Sequence, residues 1–209
     1  MKIKKIASCL ITAALILSSL VFAASCGTAD AEGTADASSV AGKWEADFSY
    51  KDILTVGESD AGAVFEALGM DLSAYRMKLT FEFKQNGEVT IGTDPDEAKE
   101  TAKSLFGEFI DLCIDASGAA EEEYLASQGY ASRDEALDDM MGNTDFSSFN
   151  GKTAKYKQNG DVLEFGKTKI KIETSDDTLV FKEVLEKADD GDTDEFIEKF
   201  IPMTLKRIK

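Results

Sequence analysis

The sequence predicts a mainly β protein of the α+β class, with antiparallel strands joined as hairpins and a block of helices inserted among them. Three observations carry this. From Arg76 to Gly92, Met77, Leu79, Phe81 and Phe83 alternate with polar residues, Asn86-Gly87 turns the chain, and Val89 and Ile91 alternate on the way back. That period of two, with one apolar side, marks a pair of strands sharing a buried face, and Asn-Gly suits a two-residue turn. Lys157-Gln158-Asn159-Gly160-Asp161-Val162 then repeats Lys84-Gln85-Asn86-Gly87-Glu88-Val89 almost letter for letter, which predicts a second hairpin. Between the two, residues 94–145 change to helical spacing.

In chain order, residues 1–25 carry Lys2, Lys4 and Lys5, an apolar run from Leu10 to Ala24 and small residues before Cys26, the layout of a cleaved export signal. A run this short is not expected to span a membrane as a helix. Ala23-Ala24-Ser25-Cys26 resembles the lipobox of bacterial lipoproteins, in which the cysteine becomes the lipidated first residue of the mature chain. Ala23 stands where that family more often has leucine, so ordinary signal cleavage is the alternative. The resemblance implies a protein anchored by lipid at Cys26 on the extracytoplasmic face of the cell membrane. Removing the signal leaves 20 basic against 40 acidic residues, a net charge of −20. Such a chain is repelled by nucleic acid and by anionic lipid, so no nucleic-acid partner is expected and membrane residence falls to the covalent anchor. The other cysteines are Cys9, inside the signal, and Cys113, so no disulfide forms after processing.

Residues 26–39 hold a tandem of Gly-Thr-Ala-Asp-Ala units without a large apolar side chain, and read as a flexible tether with a reach of roughly 20 Å. Residues 40–209 form the folded domain. It opens on Gly42-Lys43-Trp44, with Trp44, Ala46, Phe48 and Tyr50 on one side of a strand. A Gly-x-Trp on the first strand, a series of antiparallel hairpins and a last strand ending Leu205-Lys206-Arg207-Ile208 together resemble the lipocalin-like lipoproteins of Gram-positive bacteria, within the calycin group. The likeness covers residues 40–92 and 150–209. It implies an antiparallel up-and-down barrel of about eight strands, whose closed end is plugged by Trp44 with Arg207 lying across it. It also makes the inward residues Met77, Leu79, Phe81, Phe83, Val89, Ile91, Tyr156 and Phe165 the lining of any ligand site. Without the resemblance, Trp44 reads as a core residue of any small β-sandwich.

Ala63, Val64, Ala67 and Leu68 predict a short helix between Asp60 and Met70. Asp94 as N-cap, Pro95 at the first helical position and Glu97 predict a helix start, followed by an apolar face of Ala98, Ala102, Leu105, Phe106, Phe109, Ile110, Cys113 and Ile114. Glu121–Ser127 reads as a second helix, and Ser132 with Glu135 makes a capping box ahead of Ala136, Leu137, Met140 and Met141. Together these make a helical insertion over 94–145, with 15 acidic residues against Lys99, Lys103 and Arg133. Cys113, on an apolar helix face with no histidine to activate it, reads as an inert core residue.

Strands are then predicted over Gly151–Lys157, Asp161–Phe165, Lys167–Glu173 and Thr178–Leu185, with Met203–Ile208 closing the domain. Lys152, Lys155, Lys157, Lys167, Lys169 and Lys171 form a basic stripe, read as a solvated outer face with lysines guarding an edge, and less readily as an anion site. The acidic run Asp189–Glu195 misses the spacing of a calcium loop and reads as the cap of a short helix carrying Phe196, Ile197 and Phe200.

The chain has no histidine, which removes the commonest general base and metal ligand. No phosphate-binding loop, nucleophile elbow or paired-cysteine zinc motif occurs, and no cofactor or metal is expected. The expectation is a membrane-anchored domain that binds a small apolar ligand without catalysis. A protein-interaction or accessory module of a cell-surface complex is the alternative.

Overall fold

The structure is a computed structural model that describes residues 40–56, 61–142, 145–187 and 200–208. The signal segment, Cys26, the tether, and the acidic run with Phe196 and Ile197 lie outside the described residues. The described residues divide into two compact units, one mostly helical (48–77 and 94–149) and one built of strands (40–47, 78–93, 150–187 and 200–208).

Among the described residues nine strands make a single antiparallel sheet: β1 (Gly42–Ser49), β2 (Arg76–Phe83), β3 (Glu88–Gly92), β4 (Lys152–Lys155), β5 (Lys157–Asn159), β6 (Val162–Phe165), β7 (Thr168–Thr174), β8 (Thr178–Glu186) and β9 (Met203–Ile208). Their order is β4-β3-β2-β1-β9-β8-β7-β6-β5. Strands consecutive in sequence therefore lie side by side, apart from β4 and β5, and the first and last strands, β1 and β9, pair with each other through Lys43 with Ile208, Trp44 with Arg207 and Glu45 with Lys206.

The sheet curls. Laid flat, nine strands about 4.8 Å apart would separate the first and last by roughly 38 Å. Yet β4 and β5, at opposite ends of the order, are joined by the single residue Tyr156. Ring contacts show the same curvature: Phe81 on β2 meets Phe181 on β8 at 5.8 Å between centroids although β1 and β9 lie between those strands.

Nine strands replace the expected eight or so. The difference lies in residues 152–159, expected as one strand to Lys157. Its first half pairs with β3 and its second half with β6, and Tyr156 marks the change of partner. Alternation is unbroken across it, since Ala154, Tyr156 and Gln158 are all buried.

The first hairpin turn also differs from expectation. Lys84 N donates to Glu88 O at 2.7 Å and Gly87 N to Lys84 O at 3.1 Å, so Gln85, Asn86 and Gly87 bridge the strands rather than Asn86-Gly87 alone. Gly87 at φ 76° closes the turn in the left-handed region, where glycine is favoured.

The helical unit contains α1 (Tyr50–Val56), α2 (Ala61–Ala67), α3 (Pro95–Ser117), α4 (Glu121–Gln128), α5 (Arg133–Met141) and a 3₁₀ turn at Phe146–Phe149. Tyr50, expected on the first strand, opens α1 instead. Ser49 Oγ accepts from Asp52 N at 3.1 Å and donates to the Asp52 carboxylate, so a cap turns the chain into a helix just where the strand pattern would carry on through Tyr50. Asp94 caps α3 by accepting from Asp96 N and Glu97 N, and the αL residue Gly118 ends it. Ser132 caps α5 by accepting from Glu135 N at 3.2 Å, while the Glu135 carboxylate reaches back to Ala131 N. The apolar face of α3 buries Leu105, Phe106, Phe109 and Ile110, and Phe109 meets Phe65 of α2 edge-on at 5.2 Å. Arg133 ties three pieces together: it bonds Asp111 Oδ1 at 2.5 Å and Gly107 O at 2.8 Å and lies 3.6 Å from Glu121. Among the described residues no helix is long and apolar enough to cross a membrane.

Candidate functional site

The concave side of the sheet holds every inward residue singled out from the sequence. Met77, Leu79, Phe81 and Phe83 on β2, Val89 and Ile91 on β3, Tyr156, and Phe165 on β6 are all buried. Register sets Phe83 opposite Val89 and Phe81 opposite Ile91. Phe83 is the hub: its ring meets Tyr156 edge-on at 5.0 Å, Phe165 at 6.5 Å and Phe81 at 6.3 Å. β2 and β6 are five places apart in the sheet, so the Phe83–Phe165 contact spans the concavity. Further buried residues belong to this interior, among them Phe181 on β8 and Leu163 on β6. Both lie on the apolar phase of their strands, so the alternation signal was sufficient to find them. Gln158 is buried beside them and its Nε2 donates to Gly160 O at 3.0 Å.

At one end of β1 and β9, Trp44 is fully buried and its Nε1 donates to Val40 O at 2.8 Å. The Arg207 guanidinium lies over the indole, with Cζ 4.1 Å from the ring centroid. Its Nε donates to Asp176 O at 2.8 Å, one Nη to Ala41 O at 3.1 Å, and its backbone N to Asp177 O at 2.9 Å. Arg207 thus joins the β7–β8 turn to the start of β1 while covering the indole, a contact worth roughly 0.5 to 2 kcal/mol according to desolvation. Gly42 makes room for it: a Cβ there would come within 2.6 Å of the guanidinium. The Gly-x-Trp spacing has a physical cause in this crossing. The carbonyl acceptors carried no signal in the sequence, because any residue type supplies a backbone oxygen.

The outer face of the strands is ordered by charge. Lys157, Glu164, Lys169 and Glu186 lie in one cross-strand row of alternating sign, and Lys169 pairs with Glu186 at 2.6 Å. Lys155 pairs with Glu88 at 2.8 Å, which holds the Glu88 carboxyl below its ordinary range with help from Asn86, and Lys182 pairs with Glu173. Most of the basic stripe is therefore matched by glutamates on the next strand, the usual cross-strand arrangement of a solvated sheet face.

In the helical unit, burial raises the Cys113 thiol above its ordinary pKa, opposed by a hydrogen bond with Tyr124, so little thiolate forms at neutral pH. Burial and the Glu108 carboxylate raise the Tyr75 hydroxyl, and burial followed by Asp139 pushes Tyr130 up to about 12. These tyrosines act as hydrogen-bond donors. Among the described residues no three of His, Cys, Asp and Glu gather into a metal site. No known family model, characterised protein or solved structure matches the chain.

Proposed function

We propose that the chain is a lipid-anchored, extracytoplasmic lipocalin-like domain that works as a protein-interaction module, without catalysis. The observation that carries the choice of partner class is the set of ring contacts across the concavity, Phe81 with Phe181 and Phe83 with Tyr156 and Phe165, which place the protein's own side chains where an apolar ligand would lie. Small barrels either hold one ligand or are filled by their own side chains, and this interior belongs with the second kind. The lipocalin-like reading treats β4 and β5 as one bent strand, which reduces nine strands to eight in sequential order with the first and last paired. The Trp44–Arg207 crossing at the paired ends supports it. The anchor rests on Cys26 and the residues before it.

Native mass spectrometry of the protein purified from membranes tests the reading. The expected result is a protein mass with a lipid covalently attached at Cys26 and nothing else bound, with Cys26→Ala absent from the membrane fraction. A non-covalently bound lipid or metabolite at one per protein would overturn the interaction reading in favour of a ligand carrier. Wild-type protein free in the medium with no lipid mass would remove the anchor.

A further inference from the structure

We propose that the outward edge of β4 is a docking site for an acidic, extended segment of a partner protein, which joins the sheet as an added strand. This rests on the interaction-module reading and gives it a surface and a chemistry.

Register defines the edge. Ala154 lies opposite Val89 and Lys152 opposite Ile91, and Tyr156 N donates to Gly87 O at 2.8 Å. In an antiparallel ladder alternate residues turn their backbone groups to the same neighbour. Lys152, Ala154 and Tyr156 therefore address β3, and Thr153, Lys155 and Lys157 address the other side. Lys157 finds Glu164 of β6 there. β6 stops at Phe165, and Gly166-Lys167 turns the chain into β7. Among the described residues no strand lies beside Thr153 and Lys155, and their outward N–H and C=O groups form a short unpaired edge. Strand addition to such an edge is a recurrent mode of peptide recognition.

Charge selects the occupant. The complete row across β5 to β8 alternates Lys157, Glu164, Lys169, Glu186. The row through β4 runs Glu88 and Lys155 and stops, with Lys155 on its exposed end and its side chain 75% accessible. An acidic residue is what continues the alternation at the vacant place, and Lys152, Lys157 and Lys167 around it add to the attraction. A second copy of the chain fits poorly, because two β4 edges overlapped antiparallel set Lys155 opposite Thr153 and supply no acidic residue, and edge lysines are a means by which natural edges resist self-pairing.

The test follows amide exchange in the full chain with two hexapeptide probes, one alternating glutamate with valine and one alternating lysine with valine. With the glutamate probe at millimolar concentration, exchange at Thr153 and Lys155 is expected to slow roughly tenfold or more, and with the lysine probe to stay unchanged. Lys155→Glu should abolish the slowing by reversing the charge. Thr153→Pro should abolish it by deleting one outward N–H while leaving the backbone bonds to β3 intact; it also removes the hydroxyl contact with Thr90, and an unchanged exchange rate at Ala154 verifies that β4 still pairs with β3. Equal slowing by the lysine probe, no slowing at these two amides, or slowing retained in both variants overturns the proposal. So does protection of the two amides that rises with protein concentration without peptide, the mark of a second copy. A bound apolar molecule in the native mass spectrum would instead strike the interaction reading and leave the exchange result as it stands, so the two failures are distinguishable.

Discussion

Two stretches that share the letters Lys-Gln-Asn-Gly fold into different turns. In Lys84–Val89 the chain reverses over three residues, with Phe83 opposite Val89 and Lys84 bonded to Glu88. In Lys157–Val162 it reverses over two, with Asn159 opposite Val162 and only Gly160-Asp161 between them. Asn86 is therefore inside its turn and Asn159 is the last residue of its strand; Gln85 is exposed and Gln158 is buried. The cause lies after the turn. Beyond the first copy the buried apolar residues are Val89 and Ile91; beyond the second they are Leu163 and Phe165, displaced by one position relative to the shared letters, while Val162 is only half-buried. A slip of one residue sends every side chain to the wrong face, so the turn absorbs the extra residue in one hairpin and omits it in the other. Local sequence offers a set of turns, and the burial phase of the next strand selects among them.

The largest test of this difference is at the two glycines. Gly87 (φ 76°) and Gly160 (φ 61°) both occupy the left-handed region, but a Cβ on Gly87 would sit 3.1 Å from Tyr156 O, while one on Gly160 would meet nothing within 4 Å. Gly160→Ala is expected to cost about 1 to 2 kcal/mol, the left-handed strain alone. Gly87→Ala is expected to cost about 2 to 3 kcal/mol, because a backbone oxygen must also shift. Urea midpoints at constant m measure both. Equal losses would mean that Tyr156 does not press on the first turn and that the two turns differ only in length.

Next in size is the residue that links the copies. Tyr156 stands one place before the second copy, yet its hydroxyl donates to Lys84 O at 2.9 Å and its N to Gly87 O, both in the first turn. Tyr156→Phe keeps the ring against Phe83 and removes one hydrogen bond, for an expected loss of about 1 kcal/mol. Combined with Gly87→Ala the losses should fall short of additive, since both act on the contact between Tyr156 and the first turn. Strict additivity would show that the tyrosine and the turn are independent.

How far the sequence could be read follows the same division between local and distant causes. The caps at Asp94 and Ser132 and the apolar face of α3 are contained within a few residues of chain, and were legible. The Ser49–Asp52 cap was equally local, but the alternation of Trp44, Ala46 and Phe48 continues in sequence to Tyr50 and masks it. The change of partner at Tyr156 left no mark, because Ala154, Tyr156 and Gln158 keep one phase while the neighbouring strand changes sides. At the Trp44–Arg207 crossing the two side chains were legible through the resemblance of the first and last strands to the calycin pattern. The part played by Asp176, Asp177 and Ala41 was hidden, since Arg207 bonds their carbonyls and not their side chains.

The smallest expected effect belongs to the two asparagines, and it separates them by pH as well as size. Asn86 Oδ1 accepts from Glu88 N at 3.1 Å and its Nδ2 donates to Glu88 Oε2 at 2.9 Å, so it braces the turn and helps hold an ionised carboxylate. Asn159 makes one such bond, from Nδ2 to Glu164 Oε1 at 2.9 Å. All these groups are at the surface, so Asn86→Ala is expected to cost about 0.5 kcal/mol and Asn159→Ala less. Glu88 ionises below its ordinary 4.5 in the folded protein, first through Lys155 and then through Asn86. A carboxyl with a depressed folded pKa stabilises the fold above its unfolded pKa, and that contribution is lost as pH falls through the folded value. The gap between wild type and Asn86→Ala should therefore be constant near neutrality and narrow on acidification below about pH 4.5, measured by chemical denaturation at each pH. A gap that stays the same down to full protonation of the carboxylates would mean that Asn86 acts only on the backbone of the turn, and the charge of Glu88 would drop out of the difference between the two copies.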